Sequence, residues 1–269
     1  MTPSATEPTV PLRLEFTVDV PGTPEQVWDA IATAKGNSSW FIRTEMEERE
    51  GGAVAFHMGE GEDMISRGRV TGYDAPRRLE YEEPGWAKLA GHPDATVSPM
   101  VTEMIVEARS GGTCVVRVVT SAFGTGADWE REFFDEMVKN WQPMFDHLRL
   151  YLTHFPGQHA TPLSAEAPLP GTAADIRAVM WPALGVKSDG EAFEMLGVKG
   201  QVEQYGEFKI VVRLTDPIPG FLVFYAYDVA PRALAAVAGY LFSPQAPPYV
   251  ERELPSWTKW LENLPVPAA

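Results

Sequence analysis

Five histidines, one cysteine, a serine at a strand end and three strand-borne arginines are the residues of this 269-residue chain whose types could do chemistry. His57, His92, His147, His154 and His159 have no partner at metal-ligand spacing. His147 and His154 are two helical turns apart, too far to chelate one ion readily. Cys114 stands beside Val115 and Val116 in a strand pattern, which reads as a small buried apolar residue rather than a nucleophile. Ser121 lacks the Gly-x-Ser-x-Gly setting of a hydrolase. Gly124-Thr125-Gly126 leads into a helix, yet it follows an antiparallel strand and matches a phosphate loop poorly. Arg67, Arg69 and Arg117 could fix a carboxylate or phenolate headgroup through paired hydrogen bonds if one of them turned inward. Alternation puts Arg67 and Arg69 outward, and Arg117 lies between Val116 and Val118, which read as inward positions. Tyr81 is open in the same way. No metal and no cofactor is expected.

The elements that must hold these groups begin with a strand. From Leu12 to Val20 the chain alternates Leu12, Leu14, Phe16, Val18 and Val20 against Arg13, Glu15, Thr17 and Asp19, the pattern of a strand with one wet face. Pro21-Gly22 ends it. Thr23 with Pro24 and Gln26 forms a capping box for a helix burying Val27, Trp28 and Ile31, stopped at Gly36-Asn37. Strands follow over Ala53 to Met58, Ser66 to Tyr73, Leu79 to Glu82, Val101 to Ala108 and Thr113 to Ala122, separated by turn residues. Then comes a long striped segment, Asp128 to Phe155. Its apolar residues Trp129, Phe133, Met137, Trp141, Leu148, Leu152 and Phe155 have helical spacing, widened by Phe134, Val138 and Phe145. Pro143 inside it predicts a kink near Lys139. Sheet and helix each present one apolar face and must bury it on the other.

Residues 12 to about 155 resemble the SRPBCC (START-like) superfamily, in the branch of bacterial homologues of the heat-shock ATPase activator. The resemblance rests on Thr23-Pro24-Glu25-Gln26-Val27-Trp28, Trp40-Phe41, Gly111-Gly112-Thr113, Thr120-Ser121-Ala122-Phe123, Asn140-Trp141 and Leu148-Arg149-Leu150-Tyr151-Leu152. Where the family usually has His-Ser-Gly and Gly-Trp, this chain has Thr120-Ser121-Ala122 and Asn140-Trp141. The resemblance implies an α+β helix-grip fold: a curved antiparallel sheet wrapped on the long helix, with an apolar cavity between them. Its expected wall is Phe56, Met58, Trp86, Met104, Phe133, Met137 and Trp141, with Arg117 as the candidate headgroup ligand and no catalytic residue. The same aromatic and methionine stripe reads first of all as core.

Composition limits the partners. A formal charge of −15 argues against nucleic acid and anionic membrane, which repel such a surface. Acidic clusters at residues 45–48 and 60–63 read as solvated loops or strand faces. One cysteine excludes an internal disulfide and fits a reducing cytoplasm. The opening residues carry no basic and apolar leader, and no segment reads as a membrane span.

The expected domains are 10–156, a linker over 157–171 marked by Gly157, Pro162, Ser164, Pro168 and Pro170, and a smaller α+β domain over 172–269. That second domain reads as a helix capped by Thr172 and Asp175, a short helix from Asp189 to Leu196, and strands Val198 to Tyr205, Glu207 to Leu214 and Ile218 to Val229. Helices over Pro231 to Phe242 and Tyr249 to Leu264 close it. A degenerate half-repeat of the first domain and an unrelated cap both fit, and its strands are expected to need the first domain, or a second copy, to cover them. Three functions remain: binding a small apolar or amphipathic molecule, a chaperone-linked role in stress response with a protein partner, and an enzyme of the cyclase or dehydratase type. The enzyme would need a carboxylate or histidine inside the cavity with a shifted pKa. A homodimer is compatible with any of the three.

Overall fold

The computed structural model describes residues 9–59, 61–229 and 232–267. Glu60 and Pro231, which figure in two of the expectations above, lie outside them. The chain divides into two compact units, Met1–His159 and Ala160–Ala269.

The first unit runs β1 (Val10–Pro21), α1 (Pro24–Ala32), α2 (Ala34–Asn37), β2 (Thr44–Met46), β3 (Ala53–His57), β4 (Ile65–Asp74), β5 (Arg78–Glu83), α3 (Trp86–Leu89), β6 (Met100–Arg109), β7 (Thr113–Gly124) and α4 (Asp128–His154). Its strands form one antiparallel sheet in the order β1-β7-β6-β5-β4-β3-β2. The alternation of β1 does what it predicts: Leu12, Leu14, Phe16 and Val20 are buried. The Thr23 capping box forms, with the Gln26 N–H donating to Thr23 Oγ1 at 3.4 Å and the Thr23 N–H to Gln26 Oε1 at 2.9 Å. Helix α4 runs through Pro143 and buries Phe134, Met137, Phe145, Leu148 and Leu152. Phe145 meets Phe16 edge-on, ring centres 5.1 Å apart, which seats the helix on the buried face of β1. This is the helix-grip arrangement.

The second unit runs β8 (Thr161–Leu169), α5 (Ala173–Ala183), β9 (Ala192–Met195), β10 (Val198–Tyr205), β11 (Lys209–Asp216), β12 (Gly220–Val229), β13 (Arg232–Leu241) and α6 (Ala246–Glu262). Three expectations are corrected here. Most of the expected linker is the strand β8, whose Leu163, Ala165, Ala167 and Leu169 are buried in alternation. Among the described strands it pairs only with β13, so Pro162 and Pro168 sit on an edge strand, where a missing N–H costs least. The segment expected to be a helix after Asp189 is a turn and the strand β9. The segment expected to be a helix up to Phe242 is β13, paired with β12 on one side and β8 on the other.

The second unit also has its own core. Ile176 and Met180 of α5, Ile210, Val212 and Phe224 of the sheet, and Trp257 and Leu261 of α6 belong to one buried cluster. The expectation that this piece has little of its own to cover its strands is therefore wrong for that face. Val211, Phe221, Val223 and Tyr240, which alternate with the cluster residues, are buried as well.

With β8 in place, the sheet order β8-β13-β12-β11-β10-β9 repeats that of the first unit without a counterpart of β2. Local marks fix the alignment. Gly51 N–H donates to Val70 O and Val70 N–H to Gly52 O, both at 2.8 Å; Gly190 N–H donates to Val202 O at 2.8 Å and Val202 N–H to Glu191 O at 2.9 Å. The register slips directly after Val70 in β4 and directly after Val202 in β10. Two residues before each valine stands a glycine, Gly68 or Gly200, where an added Cβ would lie 2.1 Å from a carbonyl oxygen of the neighbouring strand. Val70 pairs with Tyr81 and Val202 with Val212. Tyr81 therefore corresponds to Val212, Glu83 to Leu214 and Ser66 to Val198. The second unit is a shortened repeat of the first.

Candidate functional site

On the buried face of the first sheet, β5 alternates Leu79, Tyr81 and Glu83 inward. The expected strand stops at Glu82, one residue short of the buried Glu83. Glu83 is 1% exposed. Its Oε1 accepts a hydrogen bond from the Ser66 hydroxyl on β4, and its Oε2 is buried with no hydrogen-bond partner. Burial lifts its pKa from the ordinary carboxylate range to about 7, against the opposing pull of the Ser66 hydroxyl. Tyr81 is buried beside it, and burial first and the Glu83 charge second raise its phenol well above the usual value. Across β6 and β7, Thr102 and Thr120 are fully buried and their hydroxyls lie 3.0 Å apart. Tyr81 pairs with Thr102 and Thr102 with Thr120, so the polar groups share one row of the sheet next to the row of Glu83. The corresponding residues of the repeat, Val212, Leu222 and Gly239, carry no polar side chain, and Leu214 belongs to its apolar core.

The expected wall residues divide. Phe56, Trp86, Met104 and Met137 are buried, with Phe56 5.1 Å from Tyr81 between ring centres. Trp86 donates its Nε1–H to Ser98 O at 2.9 Å and packs on Phe133 at 5.3 Å and Phe134 at 5.7 Å. Phe133 and Trp141 are half-buried, Trp141 packing on Phe41 at 5.9 Å. Met58 does not join them: β3 ends at His57, and Met58 beyond it is exposed. Arg117 is on the opposite face, paired with Glu15 at 3.1 Å. Arg67 and Arg69 likewise point outward, to Glu62 and Glu82. None of these three arginines therefore serves as the inward headgroup ligand.

The loop Gly124-Thr125-Gly126 does hold an anion, one supplied by the chain. Glu130 on α4 accepts from the Thr125 N–H, the Thr125 hydroxyl and the Gly126 N–H, each at 2.9 Å. Burial pushes its pKa up, but these donors outweigh burial and leave it lowered. Gly124 is needed there, because a Cβ would lie 2.2 Å from Glu130 Oε2. Cys114 is buried, and burial pushes its thiol up. Among the described residues, no group of three His, Cys, Asp or Glu could hold a metal ion, and no helix is long and apolar enough to cross a membrane.

Residues 21–153 match the family described as activator of Hsp90 ATPase homolog 1-like protein. No curated protein matches the sequence. Among solved structures, the di-domain aromatase/cyclase BexL of the BE-7585A biosynthetic pathway is 14% identical, covering 93% of this chain and 96% of its own, with a TM-score of 0.44. The Aha1 dimer from Colwellia psychrerythraea is 15% identical over 52% of this chain and 96% of its own, with a TM-score of 0.41. Norcoclaurine synthase from Thalictrum flavum is 14% identical over 55% of this chain and 89% of its own, with a TM-score of 0.40. None of these similarities carries a residue's role to this chain.

Proposed function

We propose, for a chain whose first domain belongs to the SRPBCC (START-like) superfamily in its activator-of-Hsp90-ATPase-homologue branch, that this domain binds a small amphipathic molecule between sheet and α4. Glu83 and Ser66 are its polar anchor. The observation that carries this reading is the buried, unpartnered Oε2 of Glu83. A buried carboxyl without a partner costs stability, and the repeat holds the same position with Leu214, so the fold itself has no need of an acid there. A costly group kept where the fold accepts leucine is best explained by something it meets. Phe56, Met104 and Met137 supply apolar surface on the same side.

Native mass spectrometry of the freshly purified full chain tests this. A small molecule should accompany the wild type and be absent from Glu83→Leu. A molecule retained equally by both would remove Glu83 from the site, and a wild type that stays bare with every amphipathic probe offered would end the binding reading.

A second reading has its own observation: a carboxyl that titrates near neutrality can both take and give a proton during turnover. It predicts that a bound compound is chemically altered over time by the wild type and left intact by Glu83→Gln. The chaperone-linked role draws on the family description. It would appear as stimulation of a chaperone ATPase that Glu83→Leu leaves unchanged.

A further inference from the structure

Building on the binding reading above, we infer that the ligand is an amphipathic amine, an apolar body whose cationic nitrogen meets Glu83 Oε2. The argument is one of missing countercharge. On the strands around Glu83 the inward side chains are apolar or hydroxylic: Ser66 and Val70 on β4, Tyr81 on β5, Met100, Thr102 and Met104 on β6, and Thr120 and Ala122 on β7. Tyr81, whose phenol burial keeps protonated, is the titratable group beside it on its own strand. The five arginines of these strands face the other way: Arg67 pairs with Glu62, Arg69 with Glu82, Arg78 with Glu80 and Glu103, Arg109 with Glu107 and Arg117 with Glu15. On α4 two titratable groups are buried: Glu130, held by the Thr125 and Gly126 donors, and His147, on the stretch of helix that sets Phe145 against Phe16 of β1. The inward carboxyl of Glu83 therefore has a hydroxyl donor for one oxygen and no hydrogen-bond partner for the other.

A ligand carboxylate would meet like charge, whereas an ammonium brings the missing charge into a low-dielectric setting where the attraction is strong. The Tyr81, Thr102 and Thr120 hydroxyls offer further acceptors one row away. The chain's net charge of −15 draws cations toward it as well. Binding is then coupled to a proton. The protonated carboxyl loses its proton to the buffer and the ammonium keeps its own, so the bound pair is carboxylate and ammonium. At pH 7 about half a proton is released per ligand, and the fraction rises as the pH is lowered toward 6.

The test is isothermal titration of the full chain with three probes sharing one ring system: naphthylmethylamine, naphthylmethanol and naphthylacetate. Each is run in two buffers of different ionisation enthalpy, so that released protons are counted. The amine should bind at least ~10-fold tighter than the alcohol, the acetate weakest, with proton release seen for the amine alone. Glu83→Gln should abolish both the preference and the release. Glu83→Leu, which copies Leu214, provides a second variant, with circular dichroism confirming its fold. An alcohol or acetate that binds as well as the amine overturns the amine assignment and leaves the binding site standing. Amine binding unchanged in Glu83→Gln overturns it too. If none of the probes binds, the amine assignment and the binding reading fall together.

Discussion

At position 83 the chain places an acid where its own repeat places leucine, and the consequences are measurable in stability. The Glu83 pKa is raised from 4.5 to about 7 in the folded state. Between those values the folded chain holds a proton that the unfolded chain has lost, so this group's stabilising contribution is complete below pH 4.5 and is lost as pH rises through 7. At 1.36 kcal/mol per pKa unit the loss is on the order of 3 kcal/mol. Urea midpoints of wild type and Glu83→Gln, compared at pH 5 and pH 8, should therefore diverge in favour of the variant at the higher pH. A difference that stays constant across the two would mean that Glu83 titrates normally. Glu83→Leu should be more stable than wild type at pH 8 by roughly 1–3 kcal/mol, because a carboxylate without a countercharge gives way to an apolar side chain. A lowered midpoint would show that the carboxyl has partners beyond Ser66.

Among the elements, the paired glycines are the sharpest constraint on the two sheets. Gly68→Ala and Gly200→Ala each force a Cβ to 2.1 Å from a carbonyl oxygen, so the strands must part. Each should cost on the order of 3 kcal/mol. Midpoints from thermal unfolding check this, and a loss of under ~1 kcal/mol at either site would contradict the register alignment. The periodic elements were legible in the sequence. The alternation of β1, the capping boxes at Thr23 and Thr172 and the stripe of α4 all declare themselves within a few residues. What misled was composition without context. β13 carries Ala233, Ala235, Ala236 and Ala238, a helix-favouring run, yet it lies between two strands that leave room for small side chains on both faces. The prolines of β8 suggested a linker because an edge strand tolerates them. Glu83 was hidden for a related reason: it continues the inward alternation of Leu79 and Tyr81, but an acid ordinarily marks the end of a buried face. Met58 errs in the opposite direction, extending an alternation past the end of its strand.

On the scale of the whole chain, each unit owns a helix laid on an antiparallel sheet, and the second has a core of its own. Residues 160–269 expressed alone should consequently unfold cooperatively. A thermal melt followed by circular dichroism reads this. A fragment without a cooperative transition would return the second unit to the status of a dependent piece.

The loop filled by Glu130 has a consequence for repair. Three donors converge on one carboxylate, so truncation by Glu130→Ala leaves a vacancy of the size and polarity of a small organic anion. The variant should lose on the order of 2–4 kcal/mol, the scale of several hydrogen bonds to a charged acceptor. Free formate can then act as a prosthesis, entering the vacancy and restoring part of the melting temperature in a saturable way. Sodium chloride at equal ionic strength should restore less, because a spherical ion cannot serve the three donors in their separate directions. A variant indifferent to formate would mean that the loop keeps its shape without its anion.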